Sequence, residues 1–342
     1  MNRKKAGILL VLILILCFGC GKNDEKKVEE KKIQIGILFD TYVIPRWQRD
    51  RDVFVTTVKE LGGEVNVQNA NGDKERQKQQ MEYLIKQQMD AIAVVPIDSE
   101  SLEDEIKKAQ DQGIPVLSYD RLVKNGNTDG YISFDNEKVG TLMGDAIAEK
   151  LDENSKILMI CGPLEDNNVQ YVEKGFREAI KKKKIQVLDT IYVTNWDSDE
   201  VEDYLIENMD LVEQVQGIMC GNDSLAGQTV TTLSQHQLAG KVVIVGQDAD
   251  LDACQRIVEG TQYMTVYKPV DKLASTAAEL IIDMAAGKQM EETSSIFDGM
   301  YDIPSIFLEP IAVTKENMDA TVISEGFHLR EDVYLNADKT RQ

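Results

Sequence analysis

Eight consecutive residues, Pro45-Arg46-Trp47-Gln48-Arg49-Asp50-Arg51-Asp52, place an indole among three guanidiniums and two carboxylates. A large flat ring beside planar, forked donors suits a ligand that is apolar on its faces and rich in hydroxyls on its edges, as a sugar is. The same stretch reads equally as a charged first helical turn with Trp47 turned into the core. What precedes and follows it sharpens the question. Ile33 to Phe39 is an apolar run of strand length, and Val53 to Leu61 is amphipathic and ends at Gly62-Gly63. The arginines and Trp47 therefore sit where a first strand hands over to its helix, the edge at which open α/β sheets bind ligands.

The alternation continues. Strands at 64–68, 91–95, 115–119 and 131–134 are separated by helices at 73–88 and 100–112, with a helix at 137–151 to follow. It then restarts with strands at 156–160, 185–192, 215–220, 242–245 and 262–266, and helices at 169–182, 198–208, 226–235, 251–259 and 270–286. Two such runs with short loops predict an α/β protein with two parallel sheets, each covered by helices on both faces. The strands end in polar clusters: Pro96-Ile97-Asp98, Asp120-Arg121, Asp135-Asn136, Gly162 to Asn168, Thr194 to Asp197, Gly221-Asn222-Asp223, Gly246-Gln247-Asp248 and Tyr267-Lys268-Pro269. Helix capping accounts for Asp98, Asn168, Ser198 and Asp223. It does not account for Arg121, Trp196, Gln247 or Lys268. Carboxylates accept, Arg and Lys donate, and Asn does both, which is what sugar hydroxyls require. Trp47 and Trp196, the chain's two tryptophans, fall one in each run, so their indoles would face the two sides of a sugar ring.

The 342 residues suffice for two cores, and a net charge of −21 argues against nucleic acid and against a basic membrane-binding patch. At the N-terminus, Asn2 to Lys5 is basic and Ala6 to Phe18 is apolar but short for a membrane span; Gly19-Cys20 then reads as a lipoprotein cleavage site with Cys20 lipidated. Cys17 and Phe18 fit that signal imperfectly, and an uncleaved signal anchor is the alternative. Residues 20–32 read as a flexible tether. Cys161, Cys220 and Cys254 show no metal or redox spacing and read as buried free thiols; with His236 and His328 the only histidines, neither a metal site nor a His-based triad is expected.

Taken together, Arg46 to Asp52, Asn69-Ala70-Asn71-Gly72, Tyr119-Asp120-Arg121, Tyr131 to Gly140, Asp166-Asn167-Asn168, Asn222-Asp223, Gly246 to Leu251 and Gly260 to Pro269 resemble the bacterial periplasmic sugar-binding proteins of the ribose/galactose/xylose type, above all their xylose-binding branch. The resemblance runs from about residue 33 to about 328. It implies two Rossmann-like lobes (the type I periplasmic binding protein architecture) joined by a three-strand hinge, closing on one monosaccharide, with no cofactor and no catalysis. Crossings are expected near Asp135, near Tyr267 and within 296–308. This gives residues 1–19 as signal peptide, 20–32 as tether, 33–135 plus 268–296 as the N-terminal lobe and 136–267 plus 297–330 as the C-terminal lobe. The implied sugar contacts are Arg46, Trp47, Asp120, Arg121, Asn167 or Asn168, Trp196, Asn222, Asp248 and Lys268. Two departures, Asn195 and Gly221, stand where relatives often carry Gly and Ser, and neither is expected to touch a contact residue.

The expected role is an extracytoplasmic, lipid-anchored capture protein delivering a sugar, D-xylose by resemblance, to an ABC transporter permease. The alternative is a sugar sensor docking on a membrane histidine kinase or chemoreceptor. An enzyme finds little support: the chain has no G-x-G-x-x-G, P-loop or G-x-S-x-G, and Asp120 with Asp248 is the one candidate carboxylate pair. A transcription regulator of the same fold would need an N-terminal helix-turn-helix where this chain has an export signal.

Overall fold

A computed structural model of the chain describes residues 32–44, 46–290 and 294–337. The chain divides into Met1–Lys32 and Ile33–Gln342. The expected signal peptide, Cys20 and residues 20–31 of the tether lie outside the described residues.

The first half follows the strand–helix alternation: β1 (Gln34–Phe39), α1 (Arg46–Glu60), β2 (Glu64–Asn69), α2 (Lys74–Lys86), β3 (Ala91–Val94), α3 (Glu103–Gln110), β4 (Val116–Tyr119) and β5 (Gly130–Phe134). The second half repeats it: α4 (Asn136–Lys150), β6 (Lys156–Cys161), α5 (Asn167–Lys181), β7 (Gln186–Tyr192), α6 (Asp199–Glu207), α7 (Met209–Val212), β8 (Gly217–Cys220), α8 (Asp223–Gln235), β9 (Val243–Gln247), α9 (Leu251–Glu259) and β10 (Met264–Tyr267). After these come α10 (Val270–Ala285), β11 (Ser294–Phe297), β12 (Asp302–Leu308), β13 (Ile311–Thr314) and the short α11 (Arg330–Val333). A seven-stranded sheet runs β11-β12-β5-β4-β3-β1-β2, and a six-stranded sheet runs β13-β10-β9-β8-β6-β7. The central strands β1, β3, β4 and β8 are buried almost throughout, which is why they read as continuous apolar runs rather than alternating ones.

The chain passes between sheets three times. It leaves β5 for α4 at Asp135, leaves β10 for α10 at Lys268-Pro269, and leaves β12 for β13 at Glu309-Pro310. The last position corrects the expected boundary at 296/297. Residues 302–308 belong to the first sheet, because β12 pairs in parallel with β5 (Ser305 opposite Tyr131, Leu308 opposite Phe134). The sheets are also mixed rather than purely parallel, since β11–β12 and β10–β13 are antiparallel. Sequence pattern missed both strands at the third crossing because 294–314 is cut into short runs by Gly and Pro.

Helices α4 and α5 start beside the cleft between the sheets and pack at unusually short range. A Cβ on Gly140 would overlap the carbonyl of Val172, and one on Gly175 would overlap that of Glu137. A glycine inside a helix costs about 1 kcal/mol against alanine. Here it lets two backbones touch, and that fixes the two N-termini bearing Asn136 and Asn167-Asn168. Gly140→Ala or Gly175→Ala should therefore cost about 2–4 kcal/mol despite the better helix propensity of alanine. Urea unfolding followed by circular dichroism checks this; an unchanged midpoint would show that the helices can separate freely.

Candidate functional site

The C-terminal ends of both sheets face one cavity of about 520 Å³ of empty space, part of it open to solvent. From the first lobe come Ile44, Arg46 and Trp47 at the start of α1, and Asp120-Arg121 after β4. From the second come Asn168 in the first turn of α5, Trp196 after β7, Asn222 after β8 and Asp248 after β9, with Lys268 and Asn136 supplied by two of the crossings. Nine of the ten residues expected at the site thus converge: Arg46, Trp47, Asp120, Arg121, Asn168, Trp196, Asn222, Asp248 and Lys268. Asn167 does not line the cavity. Its Oδ1 accepts from the backbone N–H of Leu122 at 2.9 Å, so it pins one lobe to the other.

The cations arrive already paired. Arg46 donates to Asp120 (2.9 Å) and Asp50 (3.2 Å), and Tyr119 donates its hydroxyl to Asp50. Arg121 lies 2.6 Å from Asp40 and 2.6 Å from Asp166, and Lys268 lies 2.6 Å from Asp248. All are buried. Burial works to raise the Asp120 pKa, but Arg46, Lys268 and Arg121 outweigh it and hold the carboxyl below its ordinary value. For Asp40, Asp50 and Asp166 burial wins, and their pKa values rise despite the neighbouring arginines. With five carboxyls around three cations, the cavity offers an anion no net attraction and suits a neutral, polar guest.

Polar atoms remain unspent among these pairs. Asn168 Oδ1, Gln247 Oε1, Trp47 Nε1 and Trp196 Nε1 are buried without a hydrogen-bond partner. Asn222 spends its Oδ1 capping α8 through the Leu225 N–H, which leaves its amide N–H groups. Asp166 caps α5. Asp166 and Asn222 thus do the capping that sequence assigned to Asn168 and Asp223, and Ser198 makes no side-chain cap hydrogen bond. Beyond the nine expected residues, the cavity is lined by the polar Asn136, Asp166 and Gln247 and by Ile44, Cys161, Gly162, Val169, Val172, Met219 and Gly221. Gln247 was visible as a strand-end residue that capping could not explain. Asn136, Gly162 and Asp166 also stood in strand-end clusters, whereas Cys161, the last residue of an apolar run, carried no such signal.

Trp196 needs a special seat. Its own φ is 60° and that of Asn195 is 49°, both in the left-handed region. The indole lies against Gly162 and Gly221, where a Cβ on Gly162 would overlap it and one on Gly221 would stand 3.2 Å away. Gly221 therefore does bear on a contact residue, contrary to expectation: its missing side chain lets the ring settle on the ends of β6 and β8. Asp120 (φ 63°) and Asp248 (φ 103°) are also left-handed, at a cost of order 1–3 kcal/mol each that surrounding hydrogen bonds must hold.

Behind β9 lie two more carboxyls, Asp223 and Asp250. Asp223 accepts from Gln262 (2.8 Å), Thr265 (2.7 Å) and the Asp250 N–H (3.2 Å). Burial first, and for Asp250 its acidic neighbours Asp223 and Asp248 next, push both pKa values far above 3.8. The folded protein then holds more protons than the unfolded chain from the ordinary carboxylate range up to mildly alkaline pH, so this pair loses stability as pH rises through that window. Asp250→Asn should raise the melting temperature at pH 8 by about 2 °C or more and leave it unchanged at pH 4. Scanning calorimetry at the two pH values checks this, and an equal shift at both would remove the linkage.

Comparison with known proteins agrees with this geometry. The family described as periplasmic binding protein domain matches residues 35–289. The chain is 39% identical to the D-xylose-binding periplasmic protein of Haemophilus influenzae over 312 residues, 89% of this chain and 93% of that one. It is 38% identical to the D-xylose-binding periplasmic protein of Escherichia coli, with the same coverage. A carbohydrate transporter solute binding protein from Chloroflexus aurantiacus, solved with D-glucose, superposes with a TM-score of 0.80 at 22% identity, over 87% of this chain and 98% of that one. The two α/β lobes, the strand-end cavity and these matches together place the chain in the periplasmic binding protein family, whose members bind and hand on solutes rather than transform them.

Proposed function

We propose that this protein captures a monosaccharide, D-xylose in preference to others, between its two lobes outside the cytoplasm and delivers it to an ABC importer. The observation that carries the reading is the cavity's charge arrangement. Every cation at the site is neutralised by a carboxylate of the protein, while buried amide and indole groups stay unpartnered. A ligand that completes those groups must be uncharged, must both donate and accept, and must offer apolar surface to the indoles that line the cavity. A pyranose meets all three conditions. The preference for xylose rests on the names of the 38–39% identical relatives. The basic and apolar N-terminus ending in Gly19-Cys20 supports a lipid anchor at Cys20.

Capture follows from the interlobe contacts. Opening the cleft breaks Arg121–Asp166, Leu122–Asn167, Asn168–Asp120 (3.1 Å) and the Ser99 N–H to Glu165 carbonyl bond (3.1 Å). A sugar touching both lobes makes its full set of contacts only when the cleft is shut, so it shifts the population toward closure. Micromolar affinity corresponds to about 8 kcal/mol, less than the gross value of the polar contacts, because desolvation and closure consume the rest.

Calorimetry of the purified protein against pentoses and hexoses tests the reading. Xylose should bind with Kd at or below about 1 μM, and Trp47→Ala and Trp196→Ala should each weaken it at least ~100-fold. Absence of binding to any sugar in the panel would overturn the proposal.

A further inference from the structure

The turn that carries Asp248 is, with the one that carries Trp196, one of two doubly strained turns in the cavity wall. Asp248 has a φ of 103° and Ala249 a φ of 55°, two consecutive residues with side chains in the left-handed region. Nothing in a strand-to-helix connection holds such a turn by itself. The first lobe shows how the equivalent place is secured. There the left-handed Asp120 follows β4, its N–H donates to Ile132 of β5, and its carbonyl accepts from the hydroxyls of Tyr131 (2.9 Å) and Ser133 (2.6 Å) within the lobe and, across the cleft, from the Asn168 amide (3.2 Å). In the second lobe the Asp248 N–H donates to Val266 of β10 and the Ala249 N–H to Thr265 Oγ1. Among the described residues, no neighbouring-strand hydroxyl donates to the Ala249 carbonyl. The Ala249 carbonyl accepts instead from His328 Nε2 at 2.8 Å, with the Cys254 thiol a weak second donor at 3.5 Å.

His328 belongs to the segment after β13, which packs on α9 of the second lobe, Gln255 donating to the Asp332 carbonyl at 2.8 Å and Asn336 to Glu259 at 3.0 Å, and also touches the first lobe. Next to it, Phe327 packs its ring on Tyr267 and lies under the Arg49 guanidinium, and the Phe327 carbonyl accepts from Arg49 at 3.0 Å. Arg49 is in turn clamped by Asp271 at the start of α10 (2.6 Å). The imidazole is thus delivered to Ala249 by a segment held both by α9 of the second lobe and by Arg49 of the first.

We infer that His328 is a positioning residue for ligand binding: its Nε2–H holds the Ala249 carbonyl, fixes the left-handed turn, and so aims Asp248 into the cavity. The inference rests on the sugar-binding reading above for its affinity readout. Neutral and protonated imidazole can both donate from Nε2, so the hold does not depend on the histidine's charge.

Five proteins decide it: wild type, His328→Ala, His328→Gln, Asp248→Asn, and the double variant His328→Ala with Asp248→Asn, which is compared with Asp248→Asn alone. Removing the donor should raise Kd for the bound sugar about three- to tenfold, the effect of one lost hydrogen bond. The glutamine amide, which can donate to the same carbonyl, should recover most of that. In the Asp248→Asn background the His328 penalty should fall below about twofold, because a residue acting through Asp248 has nothing left to position. An unchanged Kd in His328→Ala, a glutamine variant as weak as alanine, or an equal penalty in both backgrounds would overturn the inference. Where Asp248→Asn binds no sugar at millimolar concentration, the single variants decide. Hydrogen exchange of the peptide spanning residues 247–251 in sugar-free protein gives an arm that needs no ligand. His328→Ala should speed exchange there and leave the equivalent 119–123 peptide untouched. If wild type binds no sugar, the function fails and this arm alone judges the positioning; unaltered exchange at 247–251 refutes it.

Discussion

Arg121 sits buried between Asp40 of its own lobe and Asp166 of the other, 2.6 Å from each. A guanidinium out of water is tolerable only with partners, and losing one partner of such a pair costs about 3–5 kcal/mol. The pairing is complete only when the two sheets face each other as they do here. The site is therefore organised around charges that the protein neutralises for itself across the cleft. That constraint fixes where Asp166 must lie, hence where α5 begins, hence which asparagine of its first turn reaches the cavity. It also sets the ligand's character, since a guest bringing its own charge would unbalance pairs that are already closed.

The two lobes solve the same local problem with different means. Each presents a carboxylate on a left-handed residue just past a central strand, and each pairs it with a cation from elsewhere, Arg46 for Asp120 and Lys268 for Asp248. In the first lobe the strained backbone is held by hydroxyls of the adjacent strand. In the second, Thr265 of the adjacent strand takes the Ala249 N–H, and the Ala249 carbonyl is held by His328 from the segment after β13. The turn of one lobe is thereby coupled to a segment that also holds Arg49 of the other, which a pure duplication of the two halves would not produce.

Glycine performs two unrelated tasks near the cavity. In α4 and α5 it removes side chains so that helices meet backbone to backbone, and the N-termini facing the cleft gain a fixed separation. At Gly162 and Gly221 it clears a seat for the Trp196 indole. Both tasks depend on what lies opposite the glycine in space.

The sequence by itself determined the alternation of elements, the polar strand ends and nearly all of the residues that converge, because hydrophobic periodicity sets which edge of a parallel sheet each loop joins. Arg46, Trp47, Asp120, Arg121, Trp196, Asp248 and Lys268 could be read for that reason. Tertiary structure alone decided the rest. Asn167 and Asn168 are neighbours of the same type, and only the helical phase of α5 against the first lobe sends one to Leu122 and the other to the cavity. Gly162 and Gly221 acquire a role only from the ring that packs on them. The third crossing lies at Glu309-Pro310 because β12 finds β5 as its partner, a pairing some 170 residues apart that no local pattern specifies. His328 reaches Ala249 for the same reason: loops and tails are placed by the contacts they close, and those contacts exist only once the lobes have folded.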